Sequence, residues 1–445
     1  MSIINHIRFN EHEIFKNQGI TLASPHIDDI ENNRITLIIG PNGSGKSELL
    51  KEIAKSVSYQ TIEWDKAPFM VHEKAFSIFK EQECAIPEIN CTPKKIIALA
   101  HNLTDKFPLK INHANKYCYL GIRSTTNAAF IGKYKKSFLS SFIKIFNNPI
   151  KLDIIKEILY MMNLPTQFIF SITDNMETRK KVGVNTIDFD NKKILDNIFR
   201  LKGEISHLER NELISYMERR HPLYENLLID FESPEKNEHF LQNIKNIESL
   251  LKYSLAKVDQ FYFSKQHHFN ITFSNASAGE HLLVSSIFNL VAEIEDHTLI
   301  LIDEPESSLH PNWQIEYINI MNVILRYFKG CQIIIGTHSH FIVSNTPNKN
   351  SLILHAKKDE SSHSFTSLDI DIYGNSPDNV LYTVFGMTST RNHYFKYDLN
   401  LILKFISEGE INDEVKEAIK RMNTIAIPYS DPLSRVIENA SKMLG

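Results

Sequence analysis

The chain lacks the features that would place it in a membrane or outside the cell. No apolar run in its 445 residues approaches the roughly 18 residues of a membrane helix. The N-terminus has neither the basic start nor the apolar block of a signal peptide. Cysteine is scarce, and the four thiols have no C-x-x-C spacing and no zinc-type histidine pairs nearby: Cys84, Cys91, Cys118 and Cys331. We therefore expect a cytoplasmic protein with reduced thiols and no structural zinc.

An excess of charge of either sign is also missing. The chain has 49 Lys and Arg against 53 Asp and Glu, which gives a net charge of −4. A globally basic nucleic-acid-binding protein is therefore not indicated. Short basic clusters around Lys135, Lys180 and Arg219 favour solvated helix faces, and a patch for a nucleic-acid backbone is the alternative. At roughly 150 residues per domain, the length predicts two or three structural units.

Glycine is concentrated in one loop between a predicted strand and a predicted helix. Residues 35–39 form an aliphatic, β-branched run that is typical of a buried strand. Leu49, Leu50 and Ile53 place apolar side chains on one helical face. Between these segments, residues 40–47 match G-x-x-x-x-G-K-[ST] completely. Strand, glycine loop and helix are the context in which this pattern predicts a phosphate-binding P-loop rather than a tight turn that binds nothing.

The P-loop residue types fit a nucleoside triphosphate and its metal ion. Glycines allow successive backbone N–H groups to point at phosphate oxygens. Lys46 is expected to reach the β- and γ-phosphates, and the Ser47 hydroxyl to hold Mg²⁺. The predicted nucleotide-binding residues of this loop are Gly40, Asn42, Gly43, Ser44, Gly45, Lys46 and Ser47.

A second centre ends in two carboxylates. Residues 298–302 read as a buried parallel strand, which is followed by Asp303 and Glu304. The carboxyl ends of strands in an open α/β sheet are where ligands bind. Asp303 therefore fits an Mg²⁺ partner, and Glu304 fits the residue that orients or deprotonates an attacking water. The simpler interpretation is a pair of solvated acids at a strand end, and the presence of the P-loop disfavours it.

Two further patterns flank that strand. Residues 332–336 predict another buried strand, and His338 follows it, where an imidazole can reach a γ-phosphate. A purely structural histidine is the alternative. Upstream, residues 277–280 form an S-x-x-E capping box that opens an apolar helix. Taken alone, this capping box indicates only that a helix starts here.

The remaining segments predict helices more than strands. Apolar residues recur at spacings of three and four in four stripes: 138–146, 154–162, 194–201 and 240–255. No stripe continues for the three or four heptads of a coiled coil. Beyond residue 345 the patterns predict two strands at 352–355 and 364–372, then a helix through Val380 and Phe385, and three further helical stretches: 395–408, 412–423 and 431–443.

Together these motifs resemble the heads of ABC-type ATPases of the SMC, RecF and OLD kind. The correspondences are Walker A at 40–47, Walker B at 299–304, an S-x-G-E signature at 277–280, a D-loop at 306–311 and a switch histidine at His338. The run D-E-P-E-x-x-L-H-P-x-x-Q at 303–314 resembles OLD-like and RecF-like ATPases more than transporters. No Q-loop residue can be assigned, because the candidates all fit imperfectly: Gln60, Gln82 and Gln167.

The resemblance implies an α/β fold, namely an ABC-ATPase head with a mixed or parallel sheet. Residues 1–132 and 259–345 would form the head, 133–258 a mainly helical insertion lobe, and 346–445 a helical, partner-docking region. The implied ligands are ATP and Mg²⁺, and no membrane is involved.

The resemblance also implies a homodimer, or multiples of dimers, that sandwiches ATP. Ser277, Gly279 and Glu280 of one chain would then approach the γ-phosphate held by Lys46 of the other chain. Glu304 and His338 would be the catalytic residues, while Ser47 and Asp303 would hold Mg²⁺. The positive end of the helix after the signature suits that phosphate.

The C-terminal pattern narrows the resemblance. From Tyr373 to Arg391 the chain reads Y-G-x-x-x-D-x-x-L-x-x-x-F-G…R, and a helical tail follows. This pattern is similar to the PtuA-type ATPases of Septu antiphage systems, which act with a separate PtuB-type HNH nuclease. The resemblance implies an ATPase subunit of a bacterial defence complex that regulates such a nuclease, and no nuclease activity in this chain.

Three alternatives stay open. An OLD-type nuclease would use Asp369 and Asp371 in a TOPRIM domain, but that domain needs an upstream glutamate-bearing strand and more chain. A RecF-type or SMC-type DNA-repair ATPase is disfavoured by the missing long arms and the slight acidity. A transporter ATPase is disfavoured by the 231 positions between Lys46 and Ser277, which exceed a compact head.

Overall fold

The computed structural model describes residues 3–23, 32–62, 84–112, 114–123, 131–175, 207–219, 223–265, 268–272, 278–347, 351–358, 362–368, 376–385, 393–425 and 432–444. In these residues the strands are β1 (Ile4–Phe9), β2 (Gly19–Thr21), β3 (Arg34–Ile39), β4 (Ala85–Ile89), β5 (Lys95–Ala100), β6 (Tyr117–Tyr119), β7 (Gln167–Asp174), β8 (Tyr224–Asp230), β9 (Ala256–Lys265), β10 (His268–Thr272), β11 (Thr298–Asp303), β12 (Gln332–Thr337), β13 (Ser351–Lys358) and β14 (His363–Ser367). The helices are α1 (Lys46–Gln60), α2 (Ile131–Phe146), α3 (Pro149–Met161), α4 (His207–Arg219), α5 (Glu238–Lys252), α6 (Ala278–Glu293), α7 (Pro311–Leu325), α8 (His340–Ser344), α9 (Pro377–Thr383), α10 (His393–Glu408), α11 (Asp413–Asn423) and α12 (Pro432–Leu444).

A seven-stranded sheet carries the motifs, in the order β14-β13-β3-β12-β11-β5-β6. All its strands pair in parallel except β14, which pairs antiparallel with β13. Every residue of β3, β11 and β12 is buried, as expected of strands covered on both faces. The predicted α/β class is therefore confirmed. Because β12 lies between β3 and β11, the P-loop, His338 and the acid pair all emerge at the same edge.

Two strands of this sheet depart from the sequence expectation. β5 lies in a stretch whose pattern predicted no element, and it pairs with β11 in register from Thr298 to Asp303. β13 lies beyond residue 345, where the predicted head ended, yet it pairs in parallel with β3. β13 and β14 thus belong to the sheet that also contains the P-loop strand β3.

A small antiparallel sheet, in the order β2-β1-β4, shares its core with the main sheet. Ile4, Ile7 and Phe9 of β1 and Leu50 and Ile53 of α1 belong to one cluster of fully buried side chains. This core holds the P-loop helix against β11 and β12, the strands that precede the acid pair and His338.

The lobe between β6 and β11 contains a sheet as well as helices. β10, β9, β7 and β8 form an antiparallel sheet in that order, where the sequence patterns indicated mainly helix. The predicted stripe at 194–201 lies outside the described residues. Phenylalanines fill the space between this sheet and the helices, and Phe142 of α2 stacks on Phe288 of α6 at 4.6 Å between ring centroids. The lobe is therefore packed directly against the helix that the signature motif opens.

The chain divides into two compact units, Met1–Val380 and Leu381–Gly445. The second unit is built from α10, α11 and α12, close to the three predicted tail helices. Its core contains Ile402, Phe405, Ile419 and Met422, all of which are buried. Within the described part of the chain, none of the helices has the length and apolar character that crossing a membrane requires.

Candidate nucleotide-binding site

The P-loop has the backbone geometry that its glycines predict. Gly45 precedes α1 with φ of +94°, and Gly40 has φ of +148°. A Cβ atom at Gly40 would lie 2.2 Å from the carbonyl oxygen of Ala356 in β13, so only glycine fits there. The Ser44 hydroxyl is fully buried and makes no hydrogen bond within the described residues. An unpaired buried hydroxyl beside a helix N-terminus fits a loop that is completed by a phosphate.

Lys46 lies at the centre of the site. Its Nζ donates to the carbonyl oxygens of Gly40 and Pro41, at 3.0 and 3.1 Å. The same Nζ lies 2.8 Å from Nε2 of His338. Burial lowers the pKa of Lys46 to about 8, although the nearby carboxylates of Glu304 and Asp303 oppose this shift. A triphosphate would restore the full charge of this lysine, because it supplies the anionic partner that carbonyl oxygens do not.

The two predicted metal ligands are in contact. The Ser47 hydroxyl donates to Oδ1 of Asp303 at 3.0 Å, which joins the start of α1 to the end of β11. Burial raises the pKa of Asp303 to about 7. A hydroxyl and a carboxylate side by side form the hard oxygen donor set that Mg²⁺ prefers, and a cation there would favour the ionised acid. The residues present therefore fit Mg²⁺.

Glu304 adopts an unusual backbone conformation just past the end of β11. Its φ of +47° is left-handed, and its N–H donates to the Gly336 carbonyl at 2.8 Å. Its Oε1 lies 3.5 Å from Nε2 of His338, and its Oε2 accepts a hydrogen bond from Asn102 Nδ2 at 3.0 Å. The His338 imidazole is the main influence that lowers the pKa of Glu304. Glu304 is thus an ionised acceptor held from two sides, in a strained conformation of the kind found at functional sites.

Asn102 is the site residue that the motifs missed. It follows β5, the neighbour of β11, so Ala100 lies opposite Asp303 and the next residues reach the acid pair. The signal was present in the sequence: a buried run, K-I-I-A-L-A, ends in polar His101 and Asn102, as β11 ends in its two acids. His101 is completely buried, and this burial lowers its pKa to about 4, so the ring is neutral against the Pro305 carbonyl.

A buried ion pair holds the loop that presents Asn102. Arg123 binds both oxygens of Asp105, through Nε and Nη2, at 2.7 Å each. The Asp105 side chain is fully buried, and it also accepts hydrogen bonds from Tyr119 Oη at 2.9 Å and the Phe107 N–H at 3.0 Å. Such a pair fixes geometry strongly, because removing one partner leaves an uncompensated buried charge.

We expect Arg123→Met to lower the free energy of unfolding by about 3 kcal/mol, because Asp105 would keep its burial and lose its counter-ion. Urea unfolding followed by circular dichroism measures this change. Adding Asp105→Asn to Arg123→Met should recover part of the loss. Lys416→Met, which removes an exposed partner of Asp413, is the control and should change stability by less than about 0.5 kcal/mol. Equal effects of the two methionine variants would contradict the role of the buried pair.

The signature motif is only partly described. α6 begins at Ala278, in agreement with the predicted helix start, and Gly279 lies in its first turn. A Cβ atom on Gly279 would lie 2.2 Å from the Ser308 carbonyl oxygen, so the helix start packs tightly on the segment after Glu304. Ser277 and the side chain of Glu280 lie outside the described residues, and Asn42 is exposed at the P-loop.

The glycine loop after β3, His338 after β12 and the acid pair at the end of β11 lie at one edge of a parallel sheet, which is the arrangement expected of a P-loop ATPase domain. The chain belongs to the AAA_15 family, described as an AAA ATPase domain, whose model matches residues 25–343. This match confirms the predicted resemblance to an ATPase domain, and the first relative below supports the resemblance to PtuA-type ATPases.

Two curated proteins are similar to this chain. The Septu protein PtuA of Bacillus thuringiensis is 25% identical over 208 residues, which cover 43% of this chain and 51% of that protein. The chain thus spans about half the length of this relative. The "Retron Vc95 probable ATPase" of Vibrio cholerae serotype O1 biovar El Tor is 21% identical over 363 residues, which cover 72% of this chain and 68% of that protein.

The similar solved structures include two SMC heads. One is the Smc head domain with an extended coiled coil, bound to the C-terminal domain of ScpA, from Pyrococcus furiosus. It is 12% identical with a TM-score of 0.31, and the match covers 87% of this chain and 100% of that structure. The other is the SMC head domain from Thermotoga maritima. It is 10% identical with a TM-score of 0.30, and the match covers 83% of this chain and 100% of that structure.

Proposed function

We propose that this chain binds ATP with Mg²⁺ and hydrolyses it at the edge where β3, β12 and β11 end. One observation carries the proposal: Lys46 Nζ lies 2.8 Å from His338 Nε2, which in turn lies 3.5 Å from Glu304 Oε1. Each of these residues comes from a different strand end, and each has a chemical role in phosphoryl transfer. A purely structural cluster has no need for a lysine, an imidazole and a glutamate at the mouth of a phosphate loop.

The roles follow from the contacts. The N–H groups at the start of α1 and the Lys46 ammonium bind the phosphates. Ser47 and Asp303 would hold Mg²⁺, which would supply charge neutralisation for the phosphate oxygens. Glu304, whose lowered pKa keeps it ionised, orients the attacking water and accepts its proton. Asn102 fixes the Glu304 carboxylate, and His338 contacts the γ-phosphate.

Two chains complete each site in this proposal. The signature residues Ser277, Gly279 and Glu280 of one protomer approach the phosphate bound by Lys46 of the other protomer. The start of α6 is a helix N-terminus, which favours negative charge. A reciprocal exchange of this kind requires a C₂ dimer. ATP is then both substrate and the link between the protomers.

We also propose that the ATPase serves an antiviral defence complex, because its curated relatives are named as a Septu protein and a retron ATPase. The partner would be a separate HNH-type nuclease that docks on the unit Leu381–Gly445. This unit is compact in its own right, and α10 exposes Tyr394 by 80% and Tyr397 by 51%. Aromatic side chains of this kind are favoured at protein interfaces.

We expect deletion of residues 381–445 to release the nuclease and leave ATP turnover within about twofold, because the site lies wholly in the first unit. The measurement is co-purification of the polypeptide encoded by the neighbouring reading frame, which we expect to be the nuclease, together with phosphate release. Full-length Lys46→Ala is the matched control, which should keep the partner and lose turnover. Retention of the nuclease by the shortened chain would place docking elsewhere.

A further inference from the structure

Glu306 joins two segments of the site through its two carboxylate oxygens. Its Oε2 accepts a hydrogen bond from Thr337 Oγ1 at 2.9 Å. Its Oε1 accepts from the backbone N–H of His338. Glu306 lies on the segment after the acid pair, whereas Thr337 ends β12 and His338 follows it. One carboxylate therefore ties the segment after Glu304 to the start of the sensor loop.

The backbone of His338 needs this acceptor. The parallel pairing of β12 with β3 ends at Thr337, which lies opposite Ile39. The next N–H, that of His338, has left the ladder, and a backbone donor inside a protein must find another partner. Glu306 provides it. An ionised carboxylate accepts at both oxygens, so the same side chain can hold the N–H and the Thr337 hydroxyl together.

A second side chain ties the same two segments together. Gln314 donates through Nε2 to the Leu309 carbonyl at 2.9 Å, and its Oε1 accepts from Ser339 Oγ at 2.6 Å. Ser339 in turn caps α8 by accepting from the Ile342 N–H at 3.3 Å. His338 is thus held between two attached neighbours, Thr337 and Ser339. Its imidazole lies between Lys46 and Glu304, so a small shift of its backbone would move it away from both.

We propose that Glu306 is a positioning residue that acts through His338: it fixes the backbone from which the imidazole reaches Lys46, Glu304 and the γ-phosphate. This inference rests on the proposed ATP hydrolysis at the same site. It deepens that proposal by assigning the second glutamate of D-E-P-E, which the motif analysis placed only in the loop after the acid pair. Gly279 packs on Ser308 in the same segment, so the segment contacts both the signature helix and the sensor loop.

A double-mutant cycle on steady-state ATP hydrolysis tests the proposal. Glu306→Ala should lower kcat at least tenfold and leave KM for ATP within about threefold, because the P-loop contacts remain. In the His338→Ala background, the same change should lower kcat by less than twofold. Glu306→Gln should recover at least half of wild-type kcat, since its oxygen can accept from His338 N–H and its amide can donate to the Thr337 hydroxyl.

The controls separate this role from a general loss of structure. Glu316→Ala removes a carboxylate of α7 that bonds locally to Asn319, and it should leave kcat unchanged. If circular dichroism finds Glu306→Ala unfolded, Glu306→Asp replaces it in the cycle, because the shorter carboxylate cannot reach both donors. Equal losses in the wild-type and His338→Ala backgrounds, or wild-type kcat in Glu306→Ala or its replacement, would overturn the proposal. Turnover that survives Lys46→Ala would instead overturn the proposed ATPase site.

Discussion

We expect Lys46→Ala to abolish ATP binding and to lower ATP turnover at least 100-fold. The Lys46 ammonium bonds to two P-loop carbonyls and lies beside His338, so its loss removes the only cation among the described residues that lies between the phosphate loop and Glu304. A P-loop lysine contributes charge to bound phosphates that glycine N–H groups cannot replace. Isothermal titration calorimetry with ATP and Mg²⁺ and a phosphate-release assay measure the two effects.

Lys51→Ala is the matched control for this variant. Lys51 lies on the same helix and forms ion pairs with Glu48 and Glu52, away from the P-loop. Its loss should leave ATP affinity and turnover within about twofold, because its partners lie on α1 and not on the phosphate loop or the acid pair. If Lys46→Ala and Lys51→Ala behaved alike, the assignment of the nucleotide site would be wrong.

Glu304→Gln has the second large effect, and it separates binding from chemistry. Glutamine keeps an oxygen that can accept from Asn102 Nδ2, so the geometry is preserved while the proton acceptor is lost. We expect kcat to fall at least 100-fold with ATP affinity retained. Because ATP then persists between the protomers, a dimer should accumulate in ATP and Mg²⁺, as measured by size-exclusion chromatography with light scattering.

Glu316→Gln provides the control for the loss of a glutamate charge and should behave like the wild-type protein. Glu304→Gln combined with Lys46→Ala should remain monomeric in ATP, since no nucleotide is bound to join the chains. A monomeric, ATP-bound Glu304→Gln protein would contradict the proposed sandwich. Unchanged turnover in Glu304→Gln would contradict its role as the catalytic acceptor.

The features that sequence could predict are those encoded in contiguous residues. The P-loop, the acid pair and His338 each directly follow a buried strand, and in the structure they meet at one sheet edge. Asn102 was missed because it has no motif of its own and is identified only by the pairing of β5 with β11. The left-handed φ of Glu304 could not be predicted from the sequence either. Glutamate does not favour this conformation, and tertiary contacts with β12 impose it.

The sheet in the lobe was missed for a different physical reason. β7 pairs with β9, and the register shifts between Ser171 and Ile172, so three consecutive residues of β7 are buried. A shift of this kind breaks the alternation by which a half-buried strand is recognised. The neighbouring helical stripes, by contrast, keep regular spacing. The local spacing of apolar residues therefore predicted α2, α3 and α5 correctly, but it gave no indication of the strands between them.

The position of β13 bears on how the protein is made. A ribosome releases the P-loop, both acids and His338 before residues 351–358, which pair with the P-loop strand. Until those residues emerge, β3, whose residues are all buried in the finished sheet, has an open edge, and open edges of this kind promote aggregation during synthesis. A chain that ends before β13 would thus carry the P-loop, the acid pair and His338 and still leave β3 unpaired on that side. Residues 351–358 carry none of the motifs, yet they complete the sheet and lie against Gly40 of the phosphate loop.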